Sequence, residues 1–300
     1  MFTRSSKKEI MKNLIVSSFI LLSVFSCKRQ GTTQKENILI GDKAQVTYIE
    51  SLVNNEHPAE WLAGMNKNVL FDKTFNVLSN NQVKVYTPDQ PEFKYKTFFS
   101  YDDIIKSTGW ENGLHPEQFI EILFCENWFL SKDFKTFTKE AVYWCPIQVW
   151  DEDGQIFKRK MFYAAPTEHK KGELIAENIF TEFDFTNRVV FPSWNGFDPY
   201  KFFETVFDKI MANELAPLDP VYIVDGTETV FTPQELTDYI GLPLDSEGLR
   251  GGIESFIFQE NWYFDEATMN IYKDVKSIGF VRKYWEDEQK SKILFFLKFK

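Results

Sequence analysis

The chain has 300 residues, 43% of them hydrophobic, which is ample for a buried core, and its 31 Phe, 12 Tyr and 8 Trp make that core aromatic. A formal charge of −10 argues against the basic surface that phosphate backbones require, so nucleic acid is not an expected partner. His57, His115 and His169 lie far apart without metal-ligand spacing, and Gly-x-Ser-x-Gly, Walker and dinucleotide-binding patterns are absent. No metal, no cofactor and no enzymatic activity are therefore expected.

The chain starts with a targeting segment. Arg4, Lys7, Lys8 and Lys12 precede a 12-residue apolar run, Leu14 to Phe25, which is too short for a typical membrane-spanning helix and suits a signal-peptide core. Ser26-Cys27 closes the run as a bacterial lipobox would, making Cys27 the expected lipidated first residue of the mature chain. Lys28-Arg29-Gln30 follows without an acidic export cluster, so the expected address is the periplasmic face of an outer membrane, reached through a lipid anchor. Residues 28–56 are polar and read as a flexible tether carrying at most one short strand.

Beyond the tether, Trp61, Met65, Val69, Phe71, Phe75 and Leu78 fall at loose helical spacing. Ser100 reads as an N-cap with Asp103 as its capping-box partner, and Gly109 as the stop. Residues 120–130, 136–150 and 155–163 are aromatic and β-branched, separated by polar turns, the second of them Asp153-Gly154. They predict a three-strand meander. After a polar joint over residues 167–192, in which 179–191 alternates enough to add a strand, the order recurs. Asp198-Pro199 starts a helix with an apolar stripe, Thr232 and Glu235 form a capping box closed by Gly241, and 253–264, 270–283 and 290–299 make a second meander.

The recurrence is visible in the residues themselves. Glu126-Asn127-Trp128 returns as Glu260-Asn261-Trp262 at an offset of 134; Leu70–Lys73 answers Val206–Lys209, and Val85-Tyr86 answers Val221-Tyr222, at 136; Ser100–Ile104 answers Thr232–Leu236 at 132. A period this long implies a tandem duplication of one unit rather than a solenoid. Alternate residues across the motif give Phe124, Glu126, Trp128 and Phe258, Glu260, Trp262, so each copy carries one carboxylate on an apolar face. Such a carboxylate is either a general acid with a raised pKa or a structural group satisfied by a Lys, an Arg or a backbone donor. Neither copy offers it a companion carboxylate or nucleophile in sequence.

Cys125 and Cys145 fall opposite each other if the first hairpin centres near Lys135, leaving a disulfide and two free buried thiols as alternatives. The aromatic run Tyr143, Trp144, Trp150, Phe157, Phe162 and Tyr163 could serve either as a sugar-stacking platform or as the two faces of a packed meander.

The string Gln259–Asp265 followed by Ile278-Gly279, with Phe207–Ile210, Asp219-Pro220 and Thr232–Leu236 before it in the same order, resembles the C-terminal part of the GldN/PorN family of gliding-motility and type IX secretion proteins of Bacteroidetes. The likeness covers most of residues 198–283 and, more faintly, 60–150. It implies a non-enzymatic component of a periplasmic assembly with a protein partner. The chain departs from the family in being a duplication with its own anchor, and in lacking a basic Trp-Arg-rich N-terminal segment. The expected fold is α+β, with two related domains that each pack one or two helices on an antiparallel meander. The expected layout is signal peptide 1–27, tether 28–56, repeat domain 57–166, linker 167–192 and repeat domain 193–300.

Overall fold

The structure is a computed structural model that describes residues 40–53, 59–88, 97–186, 193–221, 227–244, 247–250, 252–285 and 289–300. The signal peptide, Cys27 and the tether up to residue 39 lie outside the described residues, as does Tyr222. In chain order the elements are β1 (Ile40–Ser51), a 3-10 turn (Ala59–Leu62), α1 (Lys67–Ser79), β2 (Val85–Tyr86), β3 (Phe98–Phe99), α2 (Tyr101–Thr108), a second 3-10 turn (Pro116–Gln118), β4 (Phe119–Leu130), β5 (Phe137–Glu152) and β6 (Gln155–Lys160). There follow β7 (Glu173–Asp184), β8 (Ser193–Phe197), α3 (Pro199–Met211), α4 (Pro233–Ile240), the short α5 (Glu247–Arg250), β9 (Ile253–Asp265), β10 (Asn270–Trp285) and β11 (Gln289–Lys298). Antiparallel sheet predominates, with a few helices packed on it.

Local chemistry sets the helix ends where the sequence placed them. Ser100 and Asp103 form a capping box at α2, which stops at Gly109 with φ 76°, and Thr232 and Glu235 do the same at α4, which stops at Gly241 with φ 76°. Asp198 accepts from the backbone N–H groups of Tyr200 and Lys201 and so caps α3. The buried faces of α1 and α3 meet the sheet ring against ring: Phe71 on Phe119, and Phe203 and Phe207 on Phe280 and Phe295.

The strands form a nine-stranded sheet of order β7-β9-β10-β5-β4-β1-β8, with β11 added on β10 and β6 on β5. Each copy therefore contributes the same set of pairings: β1-β4-β5-β6 from the first, β7-β9-β10-β11 from the second. The copies meet where β5 pairs antiparallel with β10, placing Lys139 opposite Lys273. The expectation of two domains, 57–166 and 193–300, thus meets a different arrangement: all described residues fall in one compact unit, and the two repeats share its sheet.

The repeat is also longer than its sequence suggested. β1 lies in the segment read as a tether and β7 in the segment read as a linker; both are 12-residue strands at the head of a copy, β1 on β4 and β7 on β9. A short strand in the first segment and one over 179–191 in the second were expected; β1 is longer and β7 starts earlier, at Glu173, and each has an inward row in which Ala44, Val46 and Tyr48, and likewise Ile179 and Phe183, are buried.

Two of the landmark alignments shift as well. α1 and α3 have 13 residues each and begin at 67 and 199, an offset of 132, the same as α2 and α4. The match of Leu70–Lys73 to Val206–Lys209 at 136 was one helical turn out, a slip that keeps the apolar face in place and so leaves the pattern intact. Likewise Tyr86, which pairs with Phe98 and Tyr163, corresponds to Leu218, which pairs with Val230 and Phe296, rather than to Tyr222.

Candidate functional site

The Trp-bearing strands occupy like places in the two copies. On the hairpin β4-β5, Trp128 lies opposite Lys139; on β9-β10, Trp262 lies opposite Lys273. A bulge falls beside the carboxylate in both. Between the pairs Cys125–Tyr143 and Glu126–Ala141 one residue of β5 is extra, and between Gln259–Ser277 and Glu260–Val275 one residue of β10 is extra.

These strands bring Glu126, Glu260, Lys139 and Lys273 together, and the side chains of all four are 0–1% exposed. The ion pairs cross between the copies. Lys273 Nζ of the second repeat lies 2.8 Å from Glu126 Oε1 of the first, and Lys139 of the first donates to Glu260 Oε1 of the second. Each carboxylate also accepts from the indole of its own copy, Trp128 Nε1 to Glu126 Oε2 at 3.0 Å and Trp262 Nε1 to Glu260 Oε2 at 2.8 Å.

Aromatic rings complete the enclosure in the same crossed manner. Lys139 Nζ sits 3.3 Å from the centroid of Phe258 and 4.8 Å from that of Trp128. Lys273 Nζ sits 3.5 Å from Phe124 and 4.0 Å from Trp262. The rings meet edge to face, Trp128 on Phe258 at 5.3 Å and Trp262 on Phe124 at 5.4 Å. Two lysines directly opposite on β5 and β10 would repel each other. The crossed carboxylates offset that repulsion, and the ring faces stabilise both cations where water cannot.

Burial raises the Glu260 carboxyl, but the pull of Lys139 and Lys273 with the two hydrogen bonds outweighs it, and its pKa lies below the usual carboxylate range. Burial draws Lys139 down despite its two carboxylate neighbours. A general acid needs the opposite: a proton held at neutral pH and an open approach for substrate. The arrangement suits a structural brace, the second of the two readings open for these carboxylates.

The copies differ at two inward positions. Tyr48, opposite Phe124, corresponds to Thr181, opposite Phe258; Glu50, opposite Ile122, corresponds to Phe183, opposite Phe256. Tyr48 adds a 2.8 Å hydrogen bond to Glu126 Oε2 and accepts one of 2.8 Å from Lys273. Burial, followed by the nearby carboxylates, pushes its phenol well above its ordinary range. The Tyr48 ring meets Phe183 at 5.6 Å, so the outer strands β1 and β7 face one another across the curled sheet. Asn261 accepts from the Asn178 amide at 2.8 Å, steadying an irregularity in β7, whereas Asn127 lies half-buried opposite Gln45.

Sequence reasoning found both carboxylates and both tryptophans and missed Lys139, Lys273, Tyr48 and Glu50. A signal for the lysines was present: Lys139-Glu140 and Lys273-Asp274 recur at the offset of the Glu-Asn-Trp motif. Cys125 and Cys145 are both free and buried. The hairpin turns between Asp133 and Phe134 and not near Lys135, which sets Cys125 against Tyr143 and Cys145 against Leu123, so they are diagonal neighbours without the direct opposition a bridge needs. Burial pushes the Cys145 thiol up to about 12 and raises Cys125 as well, which keeps both protonated and inert.

The aromatic run does not form one platform. Trp144, Phe162 and Tyr163 are buried, and Trp150 and Phe157 stack on one another with Arg159 over Trp150. Among the described residues no group of three or more His, Cys, Asp or Glu is gathered to hold a metal ion, and no helix is long and apolar enough to cross a membrane. No protein-family model matches the chain, and a search of curated proteins finds no match.

Proposed function

We infer that the chain is a non-enzymatic, lipid-anchored component of a periplasmic assembly at the outer membrane, related to gliding-motility and type IX secretion machinery. The observation that carries this reading is the fate of the Glu-Asn-Trp motif. In both copies its Glu and Trp turn inward and are spent on joining the repeats, so the motif through which the chain resembles the GldN/PorN family serves architecture rather than chemistry. A rigid, cross-braced double repeat offers its outer surface to a protein partner, with the anchor at Cys27 holding it to the membrane.

Two experiments test the reading. Deleting the gene should impair secretion and surface gliding, and normal behaviour in both would reject the role. Cys27→Ser should move the protein from the membrane fraction to the soluble fraction, and unchanged membrane association would reject the anchor.

A further inference from the structure

The corner where α4 meets β10 and β11 is built differently in the two copies. Gln118 stands directly before β4, where Phe119 pairs with Gln148; Gly252 stands directly before β9, where Ile253 pairs with Arg282. Gln118 and Gly252 are therefore equivalent, and so are Gln148 and Arg282. In the first copy side-chain amides close the corner. Gln148 Nε2 donates to Gln118 Oε1 at 2.7 Å and to the Thr108 carbonyl at 3.0 Å, and the Trp110 indole donates to the same Gln118 oxygen at 3.0 Å. The second copy has the donor without the acceptor. Gly252 brings no side chain, and a Cβ added there would lie 2.8 Å from Arg282 Nε. That Nε–H is buried with no hydrogen-bond partner among the described residues, which is rare for a buried donor.

A second cation stands beside the first. Arg282 and Lys292 are directly opposite on β10 and β11, both half-buried. Each lies against a ring: Lys292 Nζ is 3.8 Å from the centroid of Tyr239, and the Arg282 guanidinium carbon is 5.6 Å from that of Tyr284. Burial and then the charge of Arg282 lower the Lys292 ammonium, while burial, then Asp219 and Tyr284, raise the Tyr239 phenol, so the four side chains share one corner. Lys292 donates to the Tyr239 carbonyl at 2.6 Å in the last turn of α4, as Arg159 does to the Ser107 carbonyl in α2. Helix capping thus accounts for Lys292 in both copies' terms. It does not account for Arg282, whose guanidinium has no hydrogen bond or ion pair among the described residues. Directly opposed like charges repel, and acidic residues are not scarce in this chain, at 44 against 34 basic ones.

We propose that the corner between α4, β10 and β11 binds the phosphate group of a phosphate monoester, held by Arg282 and Lys292 with the Tyr284 hydroxyl as a further donor. Guanidinium and ammonium groups only donate, so the ligand has to accept. A phosphate monoester carries a charge of about −1.5 to −2 near neutral pH and three acceptor oxygens, which suits two cations and the fork of an arginine. A single carboxylate brings one charge and would leave one of the opposed cations unpaired. Asp219 acts on Tyr239 and is not among the groups acting on Lys292, so it does not fill the role. In the first copy Gln148 faces Arg159, a lone cation set over the Trp150 ring, so the chain carries the site once.

The test is calorimetric titration of the full chain with inorganic phosphate at pH 8, against sodium acetate and sodium chloride at matched ionic strength. The expected result is saturable one-to-one binding of phosphate, on the order of tenfold tighter than acetate. Absence of saturable binding, or acetate bound as tightly, would overturn the proposal, and neither readout needs a variant. Arg282→Gln, which installs the residue of the first copy, should weaken binding by on the order of tenfold or more, and Arg159→Gln should leave it unchanged. A folded Arg282→Gln chain that binds phosphate as before also overturns it. Flotation of the Cys27→Ser chain on phosphatidylcholine vesicles, with and without phosphatidic acid, separates the two sources of the phosphate. Flotation that needs both phosphatidic acid and Arg282 supports the site as one for a lipid headgroup; phosphate binding without flotation supports it as one for a soluble ester.

Discussion

The two repeats agree where they touch and differ along their outer strands, β1 and β7. At their junction every inward group of one copy has its counterpart in the other: Phe124 and Phe258, Glu126 and Glu260, Trp128 and Trp262, Lys139 and Lys273. At β1 and β7 the symmetry fails, with Tyr48 against Thr181 and Glu50 against Phe183. The difference teaches that the crossed ion pairs constrain both copies at once, because changing one member strands a buried charge in the other copy. The outer strands carry no such reciprocal constraint, and there one copy can acquire a group the other lacks.

The comparison breaks most readily at the crossed pairs. Lys139→Met leaves Glu260 buried without its ion-pair partner, with Trp262 as its hydrogen-bond donor and Lys273 as a more distant charge, and should cost about 3–5 kcal/mol in urea unfolding. Lys273→Met should cost less, because Glu126 keeps donors from both Trp128 and Tyr48. The reverse order would contradict the account of the asymmetry. Replacing both members of one pair, as in Lys139→Met with Glu260→Leu, should recover most of the loss, since no charge is then left unpaired.

The pH dependence separates the two kinds of carboxylate. Glu50 has a raised folded-state value, about 8, so its folded form keeps a proton that the unfolded chain gives up above about 4.5. Stability is therefore full below that lower value and falls as pH rises toward 8. Glu50→Gln cannot ionise and should be more stable than the parent at pH 9 by on the order of 5 kcal/mol, with little difference at pH 4, as read by thermal melts at both. Glu260 has the opposite sign. Its depressed value contributes stability that is present above the ordinary carboxylate range and lost as pH falls through the folded-state value. One interior is thus loosened by acid at the brace and by base at Glu50.

Smaller effects sharpen the picture. A Cβ added at Gly64 would lie 1.8 Å from the Glu177 carbonyl oxygen, where the segment after the first 3-10 turn runs along β7. Gly64→Ala should destabilise by about 1–3 kcal/mol and loosen that segment from β7, detectable as faster hydrogen exchange in β7. Tyr48→Phe should cost about 1–3 kcal/mol, because Glu126 and Lys273 each lose a buried partner. Ser100→Ala and Thr232→Ala should each cost about 1 kcal/mol and by the same amount, since the two capping boxes are built alike. Unequal costs there would show that the copies have diverged at α2 and α4 as well.

The local elements and their recurrence are legible in the order of the residues. Capping boxes, turn glycines and period-two aromatic runs act within a few residues, so α2, α4 and both meanders stand close to where those signals put them. That order also marked Glu126 and Glu260 as the odd polar members of apolar faces. What those carboxylates meet came from the folded arrangement alone, because their partners lie 121 and 147 residues away along the chain and in the other copy. Tertiary structure likewise gave the strands expected in the tether and linker segments their partners, β1 on β4 and β7 on β9, and placed both repeats in one sheet. The physical reason is that strand pairing and the neutralisation of buried charge depend on which backbones come side by side. That choice is made by the long-range burial of aromatic faces and leaves no periodic mark of its own.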